Sequence, residues 1–343
     1  MENHQITSRY HYSLPSISHP FPVSPSQLPT SNPLPQLKMV VIAVAGGTGN
    51  VGRTIVQALV ATGKHEVKIL GGKRNPELEK ELGAAIIPVD YVDVAATTKA
   101  LEANNVHTVV SAIAMMLPDG SVPPEEDLIR AADASKTTKR IISSGWGIPH
   151  SPEQIKDLPS VAPKLNAEKV LQNVKDLEHT IVHNGFFLDY WTSKPTNMTP
   201  MTLIVDSANK AAAVPGDGNT PIAFTHTTDV AKFVAALIEA DKWEAHSTIV
   251  GDKVSWNEFV KLAEDAQGSK FNIAYDSVQD LKNGKVTELP GHVHAYQFIP
   301  KEILQGMSCT FGLWFAGGAF DLTPSPLASS IQTLKVKEAL EYK

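Results

Sequence analysis

The sequence predicts an α/β chain, a doubly wound and mostly parallel sheet with a smaller C-terminal α/β lobe. Three observations carry this. A β-branched run at Val40 to Val44 ends in glycines at Gly46, Gly49 and Gly52 and passes into a helical repeat, Val51, Ile55, Val56, Leu59 and Val60. Short apolar runs then alternate with helical patterns as far as Ser143, the signature of parallel strands joined by crossover helices. The final part changes to a Trp256 to Ala266 helix, a Phe271 to Tyr275 strand and an aromatic, glycine-rich stretch from Phe311 to Phe320.

The first unit, MVVIAVAGGTGNVGRTIVQALVAT over residues 39 to 62, organises the rest. Strand, glycine turn and helix in this order open a Rossmann-type dinucleotide-binding unit. One glycine allows the tight turn, one lets the backbone approach a pyrophosphate, and one lets helix and strand pack closely. The unpaired N–H groups of the helix start then face the anion. Gly46, Thr48, Gly49, Asn50, Val51 and Gly52 are the candidate cofactor residues of this turn.

A second strand, Glu66 to Leu70, leads to Gly71, Gly72, Lys73 and Arg74. An acid at this strand end holds the ribose hydroxyls of NAD, whereas a basic residue accommodates the additional phosphate of NADP. No acid lies between Ile69 and Arg74, so NADP(H) is expected, with Lys73 or Arg74 on the phosphate. A charge-assisted hydrogen bond of about 1.5 to 3 kcal/mol gives roughly a tenfold to hundredfold preference.

Asn75 is expected to cap a short helix, Pro76 to Leu82, with proline at its first position. The third strand is Ala84 to Val89. Asp90 after it either lies near the adenine or caps the helix that runs to Asn104. The fourth strand, His107 to Ala112, delivers Ser111 and Ala112 to the carboxyl edge of the sheet, where open α/β folds bind ligands. A helix from Glu125 to Ser135 and a strand from Lys139 to Ser143 follow. Ser143 and Ser144 at that strand end either bond locally to the backbone or hold a substrate carbonyl. The next helix, Pro163 to Val174, carries Lys164, Glu168 and Lys169.

At 343 residues the chain holds two domains or one large domain with a lobe. The expected boundaries are a disordered Pro/Ser-rich tail at 1–38, a nucleotide-binding core at 39–190 rejoined by 222–240, and a lobe at 191–343. The tail contains seven of the 24 prolines and resembles neither a secretory signal nor a mitochondrial presequence, so it is read as dispensable or as an upstream extension of the reading frame. A net charge of −6 without a basic stripe argues against nucleic-acid binding. The single cysteine, Cys309, cannot form an intramolecular disulfide, and no Cys/His cluster has zinc spacing. No segment approaches membrane-spanning length. A cytoplasmic protein is expected.

GGTGNVG, RIISSGWG, KLNAEKVL and TIVHNGFFLDY occur in the order seen in atypical short-chain dehydrogenases/reductases. FTHTTDVAKFVAALIEADKW and IVGDKVSWNEFVKLAEDAQGSKFNIAYDSV narrow the resemblance to the NmrA-like and isoflavone reductase-like branch, fungal type, over about residues 40 to 300. The resemblance implies NADPH on the Rossmann core and reduction of a small organic substrate. It also implies that Ser144 holds the substrate oxygen and that Lys164 contacts the nicotinamide ribose and relays a proton, with Lys169 competing because helix alignment is uncertain by a turn. The tyrosine of the wider family stands four residues before that lysine, where this chain has Ser160. A serine hydroxyl is too weak an acid for that work, and isoflavone-type reductases rest on the lysine without the tyrosine.

Phe186, Phe187, Tyr190 and Trp191 resemble the loop between nicotinamide and substrate and are read as substrate-pocket residues or as core. Asp229 is expected to cap the returning helix, with His226 a loop residue. His292 and His294 have same-face spacing on a strand but lack a third metal ligand. The expected function is NADPH-dependent reduction of a carbonyl or enone of a hydrophobic small molecule, such as a polyketide or phenylpropanoid-like intermediate of fungal secondary metabolism. The alternative is a non-catalytic NAD(P)-sensing regulator that binds a protein partner.

Overall fold

The computed structural model describes residues 39–117 and 120–342; the expected tail at 1–38 lies outside them. The apolar run forms β1 (Val41–Ala45), with its last four residues buried. Helices on both faces of such a strand leave no solvent side, which is why its sequence does not alternate. The helix α1 (Asn50–Thr62) turns Val51, Ile55, Val56 and Leu59 inward. It stops at Gly63, whose φ of 62° lets its N–H reach Val60 O.

There follow β2 (Glu66–Gly71), α2 (Pro76–Leu82), β3 (Ala85–Pro88), α3 (Val94–Ala103) and β4 (Val106–Ser111). Asn75 caps α2 by accepting from Leu78 N–H, as its position predicted. Asp93, not Asp90, caps α3, accepting from Ala96 N–H at 2.9 Å. Asp90 is held one turn earlier, where its side chain accepts from Val92 N–H. The alternation continues with α4 (Glu125–Ala134), β5 (Arg140–Ser143), α5 (Val161–Leu171) and β6 (Glu178–His183).

Beyond it lie β7 (Phe186–Phe187), β8 (Val205–Asp206), β9 (Ala211–Pro215), β10 (Pro221–Thr225), α6 (Thr227–Glu239) and β11 (His246–Thr248). The main sheet has seven strands in the order β11-β6-β5-β4-β1-β2-β3. Every pair in it is parallel. Residues 246–248, expected in the lobe, are its edge strand. On one face Ile55, Val56 and Leu59 of α1 meet Phe233, Val234 and Leu237 of α6. On the other, Leu128 and Ile129 of α4 and Leu171 of α5 cover Ala43, Val109 and Ile141. The chain reverses its direction of travel between β1 and β4, which opens a crevice at their carboxyl ends.

His226, rather than Asp229, caps α6, its Nδ1 accepting from Thr228 N–H at 3.2 Å. Asp229 is fully buried in the first turn and accepts from Leu334 N–H at 2.7 Å, tying down the C-terminal segment.

The remaining elements are β12 (Asp252–Ser255), α7 (Trp256–Gln267), β13 (Asn272–Asp276), α8 (Val278–Lys282), α9 (Pro290–Ala295), α10 (Lys301–Ala316) and α11 (Val336–Glu341). Two three-stranded sheets, β12-β10-β7 and β13-β9-β8, hold them together. Their shared core is aromatic, with Trp191, Phe224, Trp256 and Phe259 in mutual ring contact and Phe315 against Trp256. His292 and His294 lie on α9 and not on a strand. Two residues apart on a helix they point differently, His292 buried and His294 exposed. Among the described residues no helix is long and apolar enough to cross a membrane.

Candidate active site

The glycine turn sits in the crevice and each glycine is constrained differently. Gly46 has φ +69°, and a Cβ there would lie 2.6 Å from Ala112 O. A Cβ on Gly52 would lie 2.3 Å from Gly46 O, so the first turn of α1 packs directly on the loop. At Gly49 a Cβ would have no neighbour nearer than 4.0 Å, leaving the backbone approachable from outside. Gly49 is the N-cap of α1, where no side chain caps the helix and no acid occupies its first turn. These N–H groups and the bare loop fit a pyrophosphate. Thr48 and Asn50 are exposed beside it, and Asn50 and Val51 extend into the adjoining cleft. Sequence reasoning missed Tyr91, whose hydroxyl donates to Leu70 O at 2.6 Å and accepts from Gly46 N–H at 3.3 Å. It ties the turn to the end of β2, and burial pushes its pKa up to about 12.

The two basic candidates after β2 separate. Arg74 is committed to Glu79 by two bonds of 2.9 and 2.6 Å. Lys73 is exposed and, among the described residues, has no side-chain partner. Of the two, Lys73 is therefore the cation left uncommitted at the end of β2.

At the strand ends a second unanticipated residue, Glu125, organises the serines. It begins α4 and is 1% exposed. Its carboxylate accepts from Ser111 Oγ at 2.5 Å, Ser143 Oγ at 2.6 Å and Ser144 N–H at 2.9 Å. Burial raises its pKa against the opposing pull of these three donors. The only signal in the sequence was an acid in the first turn of a helix, which ordinarily serves the helix dipole. Ser111 is thus held below the cleft, while Ala112 lines it. Ser144 also lines the cleft, but its hydroxyl donates to Ile113 O at 2.7 Å, so it presents no free donor to a substrate oxygen in this conformation.

Lys164 lies one turn into α5 and reaches the cleft wall, where Nζ donates to Gly145 O at 3.0 Å and Trp146 O at 3.2 Å. Two acceptors leave one of its three N–H bonds for a ligand. Burial lowers its pKa from 10.5 to about 8. The competing Lys169 is exposed and lies beside Glu126 and Arg130, away from the cleft, so helix phase turns Lys164 and not Lys169 towards it. Ser160 lines the cleft where the tyrosine would stand.

The cleft has a volume of about 350 Å³. Phe186, Phe187 and Tyr190 line it, joined by Phe311, Trp314 and Phe320 from the C-terminal part. Trp191 does not. Its indole is 8% exposed, donates to Val205 O at 2.9 Å and packs against Trp256 and Phe259, which makes it core. Five methionines, Met115, Met116, Met198, Met201 and Met307, complete the wall. Their unbranched side chains fit irregular apolar ligands. No spacing in the sequence marks them, because they come from three separate stretches of chain.

A nucleotide cradle opening onto an apolar cleft with a half-buried lysine amine in its wall is the working part of an oxidoreductase. Within that class the chain belongs to the NmrA-like family, whose model matches residues 38–315. It is 34% identical over 289 residues to the oxidoreductase BOA1 of Botryotinia fuckeliana, covering 84% of this chain and 91% of the relative. It is 32% identical over 285 residues to the oxidoreductase swnN of Metarhizium robertsii, covering 76% and 83%. The fold is shared with a solved structure of AtPrR2 with NADP+ and (+)pinoresinol, at a TM-score of 0.65 and 19% identity over 89% of this chain and 98% of that one.

Proposed function

We propose that the protein is an NADPH-dependent reductase that acts on a carbonyl or enone of a hydrophobic small molecule, an intermediate of the polyketide or phenylpropanoid-like kind in fungal secondary metabolism. The observation that carries this reading is the Lys164 amine, held by two carbonyls at the wall of an apolar cleft that begins at the glycine turn.

Bound NADPH supplies the hydride. Lys73 would hold the 2′-phosphate and the α1 N-terminus the pyrophosphate, while Ala112 and Val51 line the cleft beside the turn. The aromatic and methionine wall excludes water from the substrate. Lys164 meets the developing oxyanion with its free N–H, and with a pKa of about 8 it passes a proton readily near neutrality. Ser144 joins it once its hydroxyl turns away from Ile113 O. The regulator reading fits Ser160 but gives a buried amine in an apolar cleft nothing to do.

The test is NADPH consumption against enones, aromatic ketones and quinones, run beside calorimetric titration of NADPH and NADH. Turnover with at least one member of the panel is expected. Tight NADPH binding with no consumption across the panel would transfer the argument to the regulator.

A further inference from the structure

The proton that Lys164 gives up must be replaced, and the two partners of its Nζ, Gly145 O and Trp146 O, carry no proton to give back. Behind it lies a second, much smaller cavity of about 20 Å³, bounded by Ser143, Gly145, His150, Lys164, Glu168 and His183, among others. That volume admits one water molecule, and the groups around it give a water the polar partners it needs.

His183, the last residue of β6, is 4% exposed, and its Nδ1 is buried without a hydrogen-bond partner. A polar atom so placed needs a reason, because native chains rarely leave one unsatisfied. Its other nitrogen, Nε2, is 3.1 Å from Nδ1 of His246 on the edge strand β11, and the two rings stack at 5.4 Å. The side chain of His246 is 47% exposed, and its Nε2 lies 3.5 Å from Oε1 of Glu168. Glu168 stands four residues after Lys164 on α5, so both project from one face of that helix, Lys164 at the cavity that His183 bounds and Glu168 towards His246. The groups facing His183 are thus Lys164 from α5, His150 from the loop after β5 and His246 from β11.

We propose that His246 and His183 form a proton-return path from solvent to Lys164, joined to the amine by one water in the small cavity. The proposal rests on the assignment of Lys164 as the group that protonates the product. A proton taken up at Nε2 of His246 is matched by one passed from its Nδ1 to Nε2 of His183, and by one released from Nδ1 of His183 to the water. The water passes a proton to the neutral Nζ of Lys164. Each imidazole gains one proton and loses one, so neither is left charged; both rings end as the Nε2–H tautomer and return to Nδ1–H by exchange of their ring protons with water before the next turnover, and the net change is one solvent proton delivered for each hydride transferred. Burial and the neighbouring cations hold His183 far below its ordinary pKa, to about 3, which suits a neutral relay rather than a stored charge. Glu168 at the outer end attracts the incoming proton.

The test uses His246→Ala and His246→Gln, changes at a half-exposed edge position that leave the sheet intact. With the best substrate of the enone panel, kcat should fall about tenfold while NADPH affinity by calorimetry stays unchanged, and added imidazole should restore turnover in the alanine variant, where it can occupy the notch. A solvent deuterium isotope effect on kcat should grow in both variants. Unchanged kcat, or a loss that imidazole does not repair, overturns the path. Independently of any turnover, histidine nitrogen NMR of the cofactor-free protein should show His183 neutral through the neutral pH range. Lys164→Met should move its Nδ1 resonance more than its Nε2 resonance. No response at Nδ1 overturns the path whatever the activity. A response at Nδ1 in a protein that reduces no member of the panel upholds the connection and removes the reductase reading alone.

Discussion

Replacing Lys164 by Met separates chemistry from stability. The folded pKa of Lys164 is about 8 against 10.5 in an exposed chain. Between those values the unfolded chain binds more protons than the folded one, so stability rises with pH through that window, and below it the full cost of burying the charge is present. At 1.36 kcal/mol per unit, the cost is about 3 kcal/mol. Methionine removes this cost but also abandons Gly145 O and Trp146 O, and losing hydrogen bonds from a charged donor costs about 1.5 to 3 kcal/mol each. The two effects oppose each other, and the variant's stability at neutral pH should lie within about 3 kcal/mol of the parent. Turnover should nonetheless fall by about a hundredfold to ten-thousandfold, the usual worth of a positioned acid. Urea unfolding at a series of pH values gives the difference between parent and variant. That difference should shift in favour of the parent, by about 3 kcal/mol, as pH rises through the window. A flat difference would refute the burial of the charge, and a variant that retains its kcat would refute the role. For the parent, turnover that depends on the ammonium should decline as pH rises through about 8.

Lys73→Ala should weaken NADPH about tenfold to hundredfold by calorimetry and leave NADH unchanged, whereas Arg74→Ala, which breaks only the Glu79 pair, should alter neither much. Gly52→Ala places a methyl 2.3 Å from Gly46 O and should abolish binding of either coenzyme in the same titration. Trp191→Ala should cost about 3 to 5 kcal/mol in denaturant unfolding because it opens a cavity among Trp256 and Phe259. Tyr190→Ala, in the cleft wall, should instead raise KM in the enone assay with a smaller loss of stability.

Legibility in the sequence followed the range of the interaction. The strand and helix of the glycine unit could be read within two residues of their ends, as could the Asn75 cap, because each depends on neighbours in the chain. Asp93 and His226 were missed as caps because an acid or histidine within three residues of a helix start offers several competing partners, and long-range bonds decide among them. Asp229 is taken by Leu334, more than a hundred residues away. Trp191 and Tyr190 are adjacent in sequence and equally aromatic, yet one is core and the other wall, a difference set by which way a short turn faces.

By itself the amino-acid order determined a nucleotide-binding α/β unit, the absence of an acid after β2 and a lysine four residues beyond a serine where a tyrosine might have been. These are local properties, set by side-chain size, charge and period. The tertiary structure decided that Lys73 is free and Arg74 engaged, that Lys164 faces the cleft and Lys169 does not, and that Glu125 gathers three serine groups at the strand ends. It also brought His183 and His246 together from strands sixty-three residues apart. Those outcomes depend on helix phase and on which strands become neighbours in the sheet, and both are settled by burial of the whole core rather than by any stretch of chain.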